Sequence, residues 1–321
     1  MEQVEFDAAR LIQDHPPRWR HPNKQAVFQV AAAVEHPFAG TIRCVRWHPA
    51  QPPPIVTTRS RVAVREGFYD YAPSPAESVD WHVNFADPQL FVAYGSRLLA
   101  QDELQVAEHP ILGSVREALV AGGHAAETLG AWGVPTPVTI TGVQRRCVVD
   151  TRPDAAAGHP RDLFGNAFAR APVTEVLAAT RPLSPPTFSH ILAMSAPPGG
   201  HGAYAPGELR SVLETAYTGF LAVRHESVLL AGAAVGAVVH TGFWGCGAFG
   251  GDRRLMTMLQ ALAADLAEVS VVFHAGPADG AALARQALAD YASVRDVAPG
   301  VPTILAELLS RGFRWGVSDG N

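Results

Sequence analysis

The stretch that decides how this chain is interpreted reads Thr241-Gly242-Phe243-Trp244-Gly245-Cys246-Gly247-Ala248-Phe249-Gly250-Gly251-Asp252. It contains five glycines, follows the apolar run from Val235 to His240, and precedes a helical pattern that begins at Asp252 or Arg253. Glycines allow positive φ angles and leave room for a ligand beside the main chain. The N–H groups and the positive dipole end of the following helix would face whatever lies in this loop. The pattern therefore predicts an anion site, and a nucleotide diphosphate is the first candidate ligand.

Composition and charge exclude several classes of partner. A chain of 321 residues can form one large domain or a core domain with an appendage. The formal net charge is −5, and no basic run is interleaved with aromatics, so we expect no nucleic-acid binding. The Arg-rich region 145–170 is interpreted as a solvated surface. The longest apolar stretch, Val228 to Val239, has 12 residues and two glycines, so we expect no membrane insertion.

The cysteines and the first residues indicate a cellular location. Cys44, Cys147 and Cys246 show neither disulfide nor metal-ligand spacing, and no histidine shares metal-ligand spacing with a second ligand on one helix. We therefore predict no metal and no cofactor. The polar, acidic start from Met1 to Asp7 does not resemble a signal peptide, so we expect a cytoplasmic protein.

The pattern of strand and helix signals in the sequence changes near residue 76. Residues 1–75 are predicted to be an accessory segment with one short helix, Phe6–Gln13, and loop-prone proline-rich sequence. Residues 76–321 alternate strand and helix signals, which is typical of an α/β layer fold that binds ligands at the carboxyl ends of its strands. The predicted strands are Val79–Ala86, Val138–Val143, His190–Ser195, Ala234–His240 and Ser270–His274. The predicted helices are Arg97–His109, Ser114–Leu129, Gly207–Glu226, Asp252–Glu268, Ala281–Val294 and Thr303–Arg311.

The glycine loop alone leaves other interpretations open. Gly245, Gly247 and Gly250 also form the G-x-G-x-x-G of dinucleotide-binding Rossmann folds. That motif here lies late in the chain, and the next strand ends at His274 without an acidic residue for a ribose 2′-hydroxyl. A structural tight turn is a further interpretation. The aromatic residues Trp244 and Phe249 within this stretch favour a ligand loop, because aromatic faces can pack against adenine or ribose.

A second candidate lies at the predicted start of the first helix of the α/β region. Gln101, Asp102 and Glu103 form a polar triplet in which adjacent acids can supply a general acid and a ribose-hydroxyl acceptor. Such a pair alone is more often a solvated helix face. Neither signal alone assigns a function.

Together the two signals resemble the poly(ADP-ribose) glycohydrolase family. Val83–Asp87 (V-N-F-A-D), Gln101–Val106 (Q-D-E-L-Q-V) and His109–Leu112 (H-P-I-L) are similar to that family's V-D-F-A-N, Q-E-E-I-R-F and N-P-E-L, in the same order. The stretch 241–252 is similar to its T-G-N-W-G-C-G-A-F-G-G-D. The resemblance covers about residues 79–276. It implies a macrodomain, a three-layer α/β/α sandwich with a mixed central sheet, which binds ADP-ribose.

The resemblance also implies roles for individual residues. Glu103 matches the acid that protonates the leaving group at the distal ribose, and Asp102 matches the neighbour that accepts from ribose hydroxyls. Gly245–Gly250 match the loop around the diphosphate, and Phe249 matches an aromatic beside the sugar. The ligand-binding residues implied in this way are Asn84, Phe85, Ala86, Asp87, Gln101, Gly242, Trp244, Gly245, Cys246, Gly247, Ala248, Phe249 and Gly250.

Departures from the family pattern bear on the substrate. The family's three consecutive glycines fall at Phe91, Val92 and Ala93, so close backbone approach to the ligand would need a loop rebuilt around Gly95 and Ser96. This change favours a mono-ADP-ribosylated or small NAD-derived substrate over the polymer. The predicted function is hydrolysis of the glycosidic bond at the distal ribose of a poly- or mono-ADP-ribosylated substrate or of an NAD-derived small molecule. The alternatives are a non-catalytic ADP-ribose reader and a Rossmann-like oxidoreductase.

Overall fold

A computed structural model describes residues 1–74, 77–197 and 199–320. Among these residues, eight strands form one sheet with the order β1-β2-β5-β6-β4-β7-β8-β3. The strands are β1 (Glu2–Asp7), β2 (Thr41–Arg46), β3 (Val62–Arg65), β4 (Ser78–Phe85), β5 (Val138–Val149), β6 (Thr180–Met194), β7 (Gly236–Thr241) and β8 (Ser270–His274). The five strands from β6 to β3 run parallel, and β1, β2 and β5 pair antiparallel, so the sheet is mixed as predicted.

Helices cover both faces of the sheet. They are α1 (Ala8–Asp14), α2 (Pro22–Ala32), α3 (Gln101–Glu108), α4 (Ile111–Ala121), α5 (Val173–Ala179), α6 (Pro206–Ala231), α7 (Arg253–Ala267), α8 (Ala278–Val297) and α9 (Val301–Ser310). Helices α6 to α9 pack on one face, in the largest apolar cluster, whereas α1 to α5 pack on the other face in two smaller clusters. This arrangement confirms the predicted three-layer α/β/α sandwich.

Strand β4 shows how the alternation of side chains builds the two layers. Trp81 and Val83 point into the cluster under α6 and α7. His82 and Asn84 point to the opposite face, because successive side chains of a strand alternate. All four side chains are buried, so β4 is a central strand with apolar residues on one face and polar residues on the other.

The predicted accessory segment contributes to the same sheet. Strands β1 and β2 form one edge of the sheet, and β3 forms the other edge by pairing in parallel with β8. The predicted helix Phe6–Gln13 corresponds to α1, whereas β1, β2, β3 and α2 were not predicted from the sequence. The division between residues 1–75 and 76–321 stays a prediction.

The Arg-rich region is not uniformly a solvated surface, and that interpretation was wrong for two residues. Arg145 and Arg146 are buried. Arg145 donates to Glu108 at 2.8 Å, and its guanidinium lies 4.0 Å from the centre of the Tyr71 ring. Arg146 donates to main-chain carbonyls, including that of Ala31 at 2.9 Å. These arginines are buried because each charge is paired or fully hydrogen-bonded.

Each predicted strand and helix has a counterpart, although the ends differ. The strand Ser270–His274 was predicted with its observed bounds, and β6 begins ten residues before its predicted start at His190. The first part of β6 is largely exposed and contains three prolines, so it lacks a hydrophobic pattern. None of the helices in the described ranges combines the length and the apolar character needed to cross a membrane.

Candidate active site

The carboxyl ends of three parallel strands meet at one main-chain carbonyl. Met194, the last residue of β6, accepts from the N–H of Ala86 at 3.2 Å, just beyond β4. The same carbonyl accepts from the Trp244 indole Nε1 at 2.9 Å, in the glycine loop that follows β7. These bonds fix the ends of β4, β6 and β7 relative to one another, at the sheet edge where open α/β folds bind ligands.

Helix α3 is fixed to the end of β4 by its first residue. The Gln101 side chain accepts from the N–H of Phe85 at 2.7 Å and donates to the carbonyl of Val83 at 3.1 Å. Asn84, between these two residues, donates from Nδ2 to Asp102 Oδ1 at 3.1 Å. Within the described residues, Asn84 Oδ1 is buried without a hydrogen-bond partner, so it is an acceptor available to a ligand hydroxyl.

The predicted acid pair is buried rather than solvated. Asp102 and Glu103 are only 6% and 4% exposed. Glu103 Oε2 accepts from the N–H of Ala100 at 3.1 Å, which caps the first turn of α3. Burial raises the pKa of both carboxyls, and the proximity of Glu103 raises the pKa of Asp102 further. Such a pair retains a proton at pH values where isolated carboxyls are ionised.

The glycine loop lies beside the end of β4. The tip of the Phe85 ring is 3.5 Å from the position that a Cβ on Gly242 would take. Gly245 has a φ of +75°, and a Cβ there would lie 2.6 Å from the Ala196 Cβ. In the described part of the chain, no backbone oxygen accepts from the N–H groups of Gly247 and Ala248. The loop therefore presents main-chain donors of the kind that bind anions.

The start of α7 contributes less to this anion site than the sequence suggested. Asp252 is the N-cap of the helix, and its Oδ1 accepts from the N–H groups of Arg254 and Leu255, both at 3.0 Å. These donors are therefore satisfied by the chain itself. The expectation that free helix N–H groups face the loop was wrong for these two donors, so a diphosphate would be bound by the loop N–H groups.

The other predicted ligand residues fall into two groups. Trp244 is 1% exposed and its ring packs in the core, whereas its contact with a ligand stays a prediction. Phe249 and Cys246 are only partly buried, and Ala248 is exposed on the loop. Asp87 is half-buried, and its side chain accepts from the N–H of Gln89 at 2.9 Å, just after β4.

The loop that replaces the three glycines is closed by the N-terminal segment. Phe91 is fully buried, and a Cβ on Gly95 would lie 2.2 Å from the carbonyl oxygen of Arg18. The Gly95 carbonyl accepts from the N–H groups of Arg20 and His21 at 2.9 and 3.2 Å. Gly95 therefore accommodates the protein's own backbone, so the space beside it is filled by Arg18 rather than open to a ligand.

A second segment, residues 313–320, borders the glycine loop. Gly316 donates from its N–H to the carbonyl of Gly250 at 2.7 Å, and Trp315 stacks on Tyr204 with ring centres 4.3 Å apart. The Asp319 carboxylate lies 3.1 Å from the position that a Cβ on Gly247 would take. This segment was not assigned a role from the sequence, because it contains no motif.

Sequence reasoning also missed Lys24. Its side chain is fully buried, and its Nζ donates to the carbonyl of Tyr94 at 2.8 Å, seven residues before Gln101. One signal was available: Lys24 is the single lysine in a chain with 25 Lys and Arg residues.

A comparison with protein families assigns part of this architecture. The model described as "Poly (ADP-ribose) glycohydrolase (PARG), Macro domain fold" matches residues 184–279. This stretch resembles a glycohydrolase macrodomain. The matched part runs from β6 to the start of α8 and includes the glycine loop, whereas the acid pair on α3 lies outside it. The macrodomain match therefore agrees with the sequence resemblance over the loop.

Solved glycohydrolase structures are similar to this chain at low sequence identity and with TM-scores below 0.5. The poly(ADP-ribose) glycohydrolase from Thermomonospora curvata is 18% identical with a TM-score of 0.46, over 88% of this chain and 97% of that chain. The same enzyme bound to the inhibitor ADP-HPD is 18% identical with a TM-score of 0.47, over the same shares. The enzyme from Deinococcus radiodurans in complex with ADP-ribose is 14% identical with a TM-score of 0.43, over 90% and 94%.

Proposed function

We propose that the chain is an ADP-ribosyl glycohydrolase that cleaves the glycosidic bond at the distal ribose. One observation carries the proposal: a buried acid pair, Asp102 and Glu103, is fixed to the end of β4, and the adjacent strand β7 ends in a loop of main-chain donors. The loop would bind the diphosphate, and the acid pair would act on the ribose that extends from it.

Glu103 is the proposed general acid. Burial raises the pKa of its carboxyl, so Glu103 keeps a proton that can pass to the leaving oxygen as the bond from that oxygen to the anomeric carbon breaks. The leaving group departs as an alcohol or acid, and the ribose becomes an oxocarbenium-like cation. Water then adds to the anomeric carbon and returns a proton to the Glu103 carboxylate, which completes the cycle.

Asp102 and Asn84 are proposed to orient the ribose. The amide of Asn84 donates to Asp102 Oδ1, so the carboxylate has a fixed direction. The unpartnered Asn84 Oδ1 can accept from one ribose hydroxyl, and Asp102 can accept from another. A nearby anion also stabilises the positive charge that develops on the ribose in the transition state.

The substrate is proposed to be a mono-ADP-ribosylated macromolecule or a small NAD-derived compound rather than a long polymer. Phe91 is buried, and the backbone at Gly95 packs against Arg18, so this loop cannot approach a ligand as three consecutive glycines would. The proposal includes no nucleic-acid partner and no membrane. A cytoplasmic location is also proposed, because Cys44, Cys147 and Cys246 are free thiols.

The variant Glu103→Gln tests the proposal. Hydrolysis of mono-ADP-ribosylated peptide, poly(ADP-ribose) and small ADP-ribosyl compounds should be lost, whereas calorimetric affinity for ADP-ribose should stay within about threefold of wild type, because the amide keeps the shape of the acid. The matched control is Glu307→Gln, a glutamate 49% exposed on α9, which should change neither quantity.

The outcomes distinguish the alternatives. If wild type binds ADP-ribose but hydrolyses none of these compounds, the protein is a reader and the acid pair has no turnover to support. If neither wild type nor Glu103→Gln binds ADP-ribose, the glycohydrolase proposal is wrong. A change of NADH absorbance with a substrate would instead indicate an oxidoreductase.

A further inference from the structure

The single lysine of the chain lies inside the protein, next to the helix that carries the acid pair. Lys24 is in the first turn of α2 and is 0% exposed. Lysine is among the residues least often buried, because its ammonium loses its hydration. A chain that uses arginine at every other cationic position keeps its one lysine at a place where the charge is costly.

Packing between α2 and α3 brings Lys24 to the interface with the helix that carries the acids. Val27 and Ala31 of α2 share a buried cluster with Leu99, two residues before α3, and with Ala107, in the last turn of α3. Lys24 is three residues before Val27, so it lies on the same face of α2 and one turn closer to its start. The Lys24 side chain therefore extends along the interface with α3.

The contacts of the Lys24 ammonium are with neutral groups. Its Nζ donates to the Tyr94 carbonyl at 2.8 Å and lies 5.9 Å from the centre of the Phe168 ring. Among the described residues, no carboxylate lies within 4.0 Å of the ammonium, so the pair is not a contact salt bridge. Its influence on Asp102 and Glu103 is a field effect across a buried region, where screening by water is weak.

The pKa shifts of Lys24 and of the two carboxyls agree with this geometry. Burial lowers the pKa of Lys24 to about 7, and the charges of Glu103 and Asp102 act in the opposite direction. In turn, the Lys24 ammonium lowers the pKa of both carboxyls, against the effect of burial. The charge of each of these three buried groups therefore influences the titration of the other two.

We propose that Lys24 is a positioning residue that holds the Asp102–Glu103 pair in the singly ionised state. One ammonium, one carboxylate and one carboxylic acid have no net charge, so this combination is the least costly to bury. It also supplies the proton and the anion that glycoside cleavage needs. This inference rests on the proposed function for its catalytic meaning, but the coupling of charges does not depend on it.

The identity of the residue supports the role. An arginine is protonated throughout the accessible pH range, whereas a buried lysine can change its charge near neutral pH. The other charged or titratable groups that face this cluster are His21 at the start of α2, Arg97 before α3 and Asp87 after β4. Each of these is more exposed than Lys24, so Lys24 is the cation at the buried end of the cluster.

The first test uses the fact that there is one lysine. Labelling with ¹³C- and ¹⁵N-lysine gives a single side-chain NMR signal, which can be titrated without any assay of activity. We expect a midpoint near pH 7 in wild type. In Asp102→Asn the midpoint should move to lower pH, because the change removes the anion that favours the charged lysine, whereas Glu103→Gln replaces a neutral acid and should move the midpoint less. An unchanged midpoint in both variants would overturn the coupling.

The second test asks whether the charge of Lys24 sets the pKa values of Asp102 and Glu103. In Lys24→Met the carboxyl ¹³C signals of Asp102 and Glu103 should titrate at higher pH, and the acid limb of the rate profile should move to higher pH with them. Arg20→Met, at an exposed arginine that precedes α2, is the matched control and should leave both unchanged. Lys24→Arg, which keeps the charge, should keep the acid limb of wild type.

Failures of the two proposals are distinguishable. If no substrate is hydrolysed but the lysine midpoint depends on the acids, the glycohydrolase proposal fails and the charge coupling stands. If hydrolysis occurs and its acid limb is the same in Lys24→Met as in wild type, the role of Lys24 is wrong. If Lys24→Met does not fold, the lysine titration in wild type and in the acid variants still decides.

Discussion

Two glycines of the same loop should respond differently to an alanine substitution, one in stability and the other in ligand affinity. Gly245 has a φ of +75°, and a Cβ there would lie 2.6 Å from the Ala196 Cβ and 3.0 Å from the Met256 methyl. Gly247 does not have a positive φ, and the nearest atom to its Cβ would be the Asp319 carboxylate oxygen at 3.1 Å. A side chain can move away at Gly247, whereas packed core atoms surround Gly245.

The structure sets the magnitude for each alanine variant. In Gly245→Ala a left-handed backbone costs about 1–2 kcal/mol, and overpacking costs about 1–3 kcal/mol, so the free energy of unfolding should fall by about 2–5 kcal/mol. In Gly247→Ala the free energy of unfolding should change by no more than about 0.5–1 kcal/mol. The new methyl group would stand beside the loop N–H groups, so ADP-ribose affinity should fall.

Urea unfolding followed by tryptophan fluorescence measures the first quantity, and calorimetric titration with ADP-ribose measures the second. Wild type and Gly247→Ala should unfold at closely similar urea concentrations, with Gly245→Ala well below them. If Gly245→Ala is as stable as wild type, the described backbone of the loop is wrong. If Gly247→Ala binds ADP-ribose as tightly as wild type, the loop N–H groups do not hold the diphosphate.

Four other substitutions test separate parts of the structure. Trp244→Ala should reduce the free energy of unfolding by about 3–5 kcal/mol because its ring lies in the core. Phe249→Ala should instead mainly weaken ADP-ribose binding. Urea unfolding and calorimetric titration measure the two effects, and a smaller loss of stability in Trp244→Ala than in Phe249→Ala would contradict this prediction. Arg145→Met leaves Glu108 buried without its cation and should cost about 3–5 kcal/mol. Burial already raises the pKa of Glu108, and the loss of Arg145 raises it further. The stability of Arg145→Met should therefore be retained at low pH and lost as pH rises. Melting temperatures of this variant that stay constant from pH 4 to 9 would contradict the prediction. Asp252→Ala removes the N-cap of α7 and should cost about 0.5–2 kcal/mol, which a melting curve with an unchanged midpoint would contradict.

The parts of the fold that the sequence predicts are those with local signals. Ser270–His274 is a short apolar run bounded by polar or small residues, and its bounds were predicted as observed. The edge strand β1 alternates between exposed and half-buried residues, and four of its six residues are polar, so its hydrophobic pattern is weak. Helix α2 begins with a proline and carries a buried lysine, which composition alone assigns to a surface.

The site shows the same division between local and long-range information. The acid pair and the glycine loop are contiguous motifs, and both were found from the sequence. The burial of Trp244 depends on the Met194 carbonyl, 50 residues earlier in the chain, which offers the indole its hydrogen-bond acceptor. The contact between Gly95 and Arg18 and the neighbourhood of Lys24 likewise come from segments about 70 residues apart or more. No local pattern encodes such pairs.

The position of β3 has a consequence for synthesis of the chain. Within the described residues, Val62–Arg65 pairs in the sheet only with Val271–His274, so about 200 residues must be made before its partner exists. At a rate of about 5–20 residues per second, this takes roughly 10–40 s. Throughout that time the edge strand stays without its ladder, while β1 and β2 can already pair with each other. The last hydrogen bonds of the sheet therefore form near the end of translation, and pulse-labelled ribosome-bound chains that stop before residue 270 should leave this segment open to proteases.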